Sequence, residues 1–104
     1  MKLVIRLKPQ ARADLVALRV WSEAEWGNVK TRDYLSGLKQ AFARLAGNPA
    51  IGRSCELFGP GIRSWNYRGQ IIFYRPIENG ISILRVLHER RNQAALDFAD
   101  QAQR

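Results

Sequence analysis

With 104 residues, 17 of them Lys or Arg against 9 Asp or Glu, the chain carries a net charge of +8 and is sized for one domain over 1–104. Its single cysteine, Cys55, excludes an internal disulfide and a cysteine-built zinc cluster, and suits the reducing cytoplasm. No run approaches the ~20 apolar residues of a membrane span, and charges near Met1 interrupt the ~7–15 apolar residues a signal peptide needs.

The pattern opens with a half-buried strand over 2–8, where Leu3, Ile5 and Leu7 alternate with Lys2, Val4, Arg6 and Lys8. Pro9 ends it and begins a helix, having no N–H to leave unpaired. Ala11, Leu15, Leu18 and Trp21 recur at helical spacing through Ala24, and Gly27 stops the run. Asn28 is the expected cap of a second helix, with Leu35, Leu38, Phe42 and Leu45 as its apolar stripe. Gly47-Asn48-Pro49 ends that helix. A link of about two or three residues makes the helices an antiparallel hairpin.

Residues 49–61 hold three Gly and two Pro and read as a loop. Three strands follow, over 62–67, 70–76 and 81–88. They are joined by turns at Arg68-Gly69 and Glu78-Asn79-Gly80, as in an antiparallel meander. Asn92 is the expected cap of a last helix carrying Ala95, Leu96, Phe98 and Ala99, with a fraying tail after Asp100. The predicted class is α+β: an antiparallel helix hairpin on a small, mostly antiparallel four-stranded sheet, in the order β-α-α-β-β-β-α. The first strand's neighbours cannot be read from pattern.

From residue 51 onward every basic side chain is Arg, whose planar fork suits carboxylate or phosphate. This points to an acidic protein or a nucleic acid as partner. Arg63, Trp65 and Tyr67 share one strand face, as do Ile71, Phe73 and Arg75. Such interleaving fits a single-stranded RNA platform, or simple cross-strand packing over a core. Arg85 and His88, three apart on a strand, are expected on opposite faces. No metal or cofactor is called for.

Four segments resemble the RelE/ParE toxin superfamily, most closely its ParE branch. They are the A-x-x-D-L opening and S-E-x-x-W-G close within Ala11–Gly27, Asn48-Pro49-Ala50-Ile51-Gly52, Ile72-Phe73-Tyr74-Arg75, and Leu84-Arg85-Val86-Leu87-His88. Their order and spacing span nearly the whole chain. The resemblance implies the toxin of a type II toxin–antitoxin pair, of the kind tied to plasmid stabilisation. Its ParE branch implies inhibition of DNA gyrase by binding. It also implies neutralisation by a ParD-like antitoxin with an acidic C-terminal segment. Contact with nucleic acid is then expected only through the antitoxin complex. Arg85, His88, Arg90 and Arg91 are the candidate target-binding residues. Leu18, Trp21, Trp26 and Tyr34 are the candidate antitoxin-binding residues, because a thin two-layer core does not easily absorb so many large aromatics.

The RelE branch instead implies a ribosome-dependent mRNA endonuclease. That chemistry needs a group to take the 2′ proton, cations for the phosphorane and an acid for the leaving oxygen. Aligned on the turns, the basic strand positions of RelE-type enzymes fall on Ile62, Ser64 and Ile71, and their C-terminal tyrosine on Leu96. Arg90 lies near another family arginine, and a small slip brings in Arg63 or Arg68. His88, the only histidine, is the one weak catalytic candidate, with Glu56 or Glu89 as its partner. A third reading is an inactive homologue that only binds antitoxin and co-represses its promoter.

Overall fold

The structure, a computed structural model, describes residues 2–90. The expected last helix, the tail and Arg91 lie outside the described residues. Strand β1 (Val4–Leu7) leads into helix α1 (Pro9–Trp26), with Pro9 in its first turn. Helix α2 (Asn28–Gly47) follows after Gly27 alone. A one-residue reversal forces that residue out of ordinary backbone space, and Gly27 takes φ +85°. The expected Asn28 side-chain cap is therefore absent. Gly27 occupies the cap position, and its carbonyl accepts the Thr31 N–H at 3.3 Å.

The Gly- and Pro-rich segment 49–61 is not a bare loop: it contains two 3-10 turns, Pro49–Ile51 and Glu56–Phe58, flanking a two-residue strand β2 (Arg53–Ser54). Strands β3 (Arg63–Tyr67), β4 (Gln70–Ile77) and β5 (Gly80–His88) complete the sheet. It has five strands, not four, in the order β1-β5-β4-β3-β2. β2 is too short to show a period of two, and it exists only through pairing with Ser64 and Arg63. The meander is antiparallel as expected, but β1 pairs parallel to β5, with Val4 opposite Gly80 and Leu7 opposite Ile83. The sheet is thus mixed, the helix hairpin forming part of the crossover that parallel neighbours require.

Both faces of the sheet carry a core. On one, Leu38, Phe42 and Leu45 of the expected stripe meet Ile72, Tyr74, Ile81, Ile83 and Val86, with Leu35 half-buried. On the other, Ile62, Phe73, Leu84 and Leu87 are covered by Cys55 and Phe58, which explains the structure within 49–61. Trp65 and Tyr67 pack on the helix side, and Arg44 of α2 lies 5.4 Å over the Trp65 ring. Those strand aromatics are packing residues, not an open platform for bases.

Two recognised segments meet at Tyr74. Its hydroxyl donates to the Pro49 carbonyl at 2.6 Å and accepts the Gly52 N–H at 3.0 Å. A Cβ at position 52 would collide with that hydroxyl, so the loop glycine is required by close approach. Burial raises the Tyr74 phenol above its ordinary range and keeps it a neutral donor.

Candidate functional site

β5 outruns β1. Leu7 is the last residue of β1 opposite β5, and the Lys8 N–H reaches the Ile83 carbonyl at 3.0 Å. Beyond Ile83 an exposed strand edge would leave peptide groups unpaired. Asp14, one turn into α1, fills part of that gap. Its Oδ2 accepts the Val86 N–H at 3.0 Å and Arg85 Nε at 2.8 Å, and its Oδ1 accepts an Arg85 terminal nitrogen at 3.0 Å. The two-bond fork is the strong form of a carboxylate–guanidinium pair. The hydrogen bonds to Asp14 hold Arg85 protonated more firmly than usual, against the effect of burial. Asp14 was visible only as part of a recognised helix opening. An acidic side chain beside a buried stripe was the signal that it has a partner.

The register slips in the same place. Phe73 faces Arg85 while Tyr74 faces Ile83, so Leu84 is left without an opposite residue. Such a bulge reverses the alternation beyond it. Ile83 and Val86, three apart, both enter the helix-side core, while Leu84 and Leu87 enter the other. Arg85 and His88 lie beyond the bulge and keep the expected alternation, opposite Phe73 and Gln70, yet both line one groove at the edge of the sheet.

That groove, of about 620 Å³, runs between Asp14, Ala17, Leu18 and Trp21 of α1 and Arg85, Val86, Leu87, His88 and Arg90, with Gln70 at its end. Two residue sets that the sequence kept apart converge here. Leu18 and Trp21, assigned to one partner, share the groove with Arg85, His88 and Arg90, assigned to another. Leu18 is buried, while Trp21 is 44% exposed. Val16 and Val20 extend the apolar surface of α1 into solvent.

Trp26, 41% exposed, lies outside the groove but packs edge-on against Trp21 with ring centres 5.3 Å apart. Tyr34 is no exposed anchor: only 7% of it reaches solvent. It sits between Trp26 and Tyr67, with ring centres 5.5 and 5.3 Å away, and its hydroxyl donates to the Arg68 carbonyl at 2.9 Å. Burial, reinforced by Tyr67, pushes its phenol up to about 12. The four rings form one row from the groove to β3.

The proton-transfer candidate has a local structural role. His88 Nδ1 accepts the Arg90 N–H at 3.1 Å. Asp14 is the acidic residue of the groove, and Arg85 and the Val86 N–H already hold it. Glu56 sits in the turn whose Phe58 covers the opposite core. Ile62 is buried, Ile71 packs beside it, and Ser64 accepts a bond from Cys55 Sγ at 3.2 Å. Arg63 donates to the Gly52 carbonyl at 2.7 Å. Leu96 lies outside the described residues.

Residues 5–93 match the family described as the ParE toxin of the type II toxin–antitoxin system, parDE. The chain is 38% identical over 85 residues to Toxin ParE1 of Mycobacterium tuberculosis, covering 81% of this chain and 87% of that one. It is 32% identical over 90 residues to Toxin ParE1 of Caulobacter vibrioides, covering 86% and 93%. A solved chain from the chromosomal ParDE toxin–antitoxin system of P. aeruginosa superposes with a TM-score of 0.69 at 19% identity. It covers 83% of this chain and 95% of that one, and it supports the fold.

Proposed function

The chain belongs to the ParE toxin family of type II toxin–antitoxin systems, and on that premise we propose that it inhibits DNA gyrase by binding, through the groove between α1 and β5. A cognate antitoxin neutralises it by filling the same groove. The convergence of Leu18, Trp21, Arg85, His88 and Arg90 on one cleft carries this reading. An exposed Trp beside Arg is the composition of an energetically dominant interface centre. An amphipathic antitoxin segment with acidic residues would lay its apolar side on Leu18, Trp21 and Val20 and its carboxylates toward Arg90. Trp26 extends the apolar rim. Inhibition of this kind needs a rigid shaped surface and no bond chemistry, and it takes place in the cytoplasm, where gyrase is.

Competition follows from a shared groove: bound antitoxin excludes gyrase. Supercoiling assays with purified protein test this directly. Inhibition should saturate near one toxin per gyrase subunit and disappear on adding stoichiometric antitoxin. Trp21→Ala should weaken antitoxin binding about 30-fold, the ~2 kcal/mol of an interface hot spot. Arg90→Ala should weaken gyrase inhibition about tenfold. Normal supercoiling at excess toxin rejects the gyrase reading. Codon-dependent cleavage of translated message would put the endonuclease reading in its place.

A further inference from the structure

A second concave surface, of about 510 Å³, lies around β1 and shares no residue with the groove. It is lined by four cations from two separated segments: Arg6 of β1, Lys8 at the start of α1 and Arg12 of α1 from one, and Arg75 of β4 from the other. Arg6, Ser82 and Arg75 form one row across the sheet, Arg6 opposite Ser82 and Ser82 opposite Arg75. Neighbouring strands lie ~4.8 Å apart, so the row sets the two arginine backbones about 10 Å from one another. Arg75 is steadied by Nε donating to the Pro60 carbonyl at 3.0 Å. Among the described residues no acidic side chain lines the surface, and the ion pair is that of Arg85 with Asp14.

We propose that this surface binds the phosphodiester backbone of duplex DNA without reading its sequence. Its chemistry selects that partner over others. Among the described residues the lining holds no aromatic side chain, so they offer no platform on which single-stranded bases stack. It likewise lacks the Trp or Tyr that dominates protein interfaces and that the groove supplies. Converging cations make the contact set that positions a protein on phosphates. Because it is separate from the groove, the surface stays available when the groove is filled. Its affinity for duplex does not depend on what the groove binds; resting on the gyrase reading, it would also hold the protein on the DNA that gyrase acts on.

The test is fluorescence anisotropy of the full chain with a labelled duplex of about 20 base pairs, titrated with salt. Each phosphate contact contributes about −0.9 to the slope of log K against log salt. Four contacts give a slope near −3.6, an affinity loss of about 150-fold between about 50 and about 200 mM salt. Arg6→Gln with Arg75→Gln should lower the slope by about 2 units. Lys8→Gln with Arg12→Gln, at exposed positions that leave the sheet alone, should do the same. Arg90→Gln in the groove should leave the slope in place. Absence of duplex binding overturns the proposal, as does a slope that neither double substitution changes. Tighter binding of the corresponding single strand overturns it too. Binding of an acidic peptide but not of duplex assigns the surface to a protein partner and also overturns it.

Discussion

Two ties secure this small sheet to the segments beside it, and they are made of opposite materials. Beside the groove, the Asp14 carboxylate joins α1 to β5 through the Arg85 fork and the Val86 N–H. Toward the other edge, the neutral Tyr74 hydroxyl joins β4 to the Pro49–Gly52 loop. Side chains of the first pair keep 19% and 14% of their surface in solvent, whereas Tyr74 is fully buried. Charge is used where water still reaches, and a neutral donor-acceptor where it does not. A buried ion pair repays its desolvation only with excellent geometry and full satisfaction. A phenol asks far less of its surroundings.

The sharpest way to break this comparison is Asp14→Ala. It leaves a half-buried guanidinium and an edge N–H without their carboxylate, at a cost of about 3 kcal/mol. Denaturant unfolding should show that loss, and the groove should lose antitoxin affinity with it. Replacing both partners, as Asp14→Leu with Arg85→Met, should recover part of the stability, since an unpaired charge costs more than an absent pair. Tyr74→Phe comes next. It strands the Pro49 carbonyl and the Gly52 N–H together, for about 2 kcal/mol, and should lower the melting temperature by roughly 8–16 °C.

A phenol outside both ties adds a dependence on pH. The Tyr34 phenol titrates at about 12 in the fold against 10.0 when free. The folded chain thus holds that proton more tightly. Its contribution to stability is fully present below pH 10 and is lost as pH rises from about 10 to about 12. Alkaline melts should decline over that window, and Tyr34→Phe should flatten the decline. Arg85, held protonated by Asp14, should not contribute to it.

Much of this architecture was legible because it rests on local signals. Pro9, Gly27, Arg68-Gly69 and Asn79-Gly80 mark element ends through backbone geometry alone, and the α2 stripe follows from a period of 3.6. What stayed hidden depends on pairing at a distance. β2 is a strand only because β3 lies beside it. The parallel place of β1 follows from packing, not from its own alternation, and Leu3 and Ile5 of that alternation remain exposed. Tyr34 looked surplus to a thin core, yet a row of neighbouring rings absorbs it. The groove itself was half legible. Leu18, Trp21, Arg85, His88 and Arg90 were each chosen from composition and resemblance, but their meeting in one cleft depends on an irregularity that no alternation rule foresees.

That irregularity has a wider meaning. Which side of the sheet receives the residues after Ile83 is decided by how many peptide units separate them from it, not by what those units carry. One surplus unit at Leu84 turns Val86 and His88 toward α1 and Leu87 away. The molecule's adhesive side is thus stored as parity. A single-codon deletion there would turn the binding surface inside out while altering the composition by one leucine.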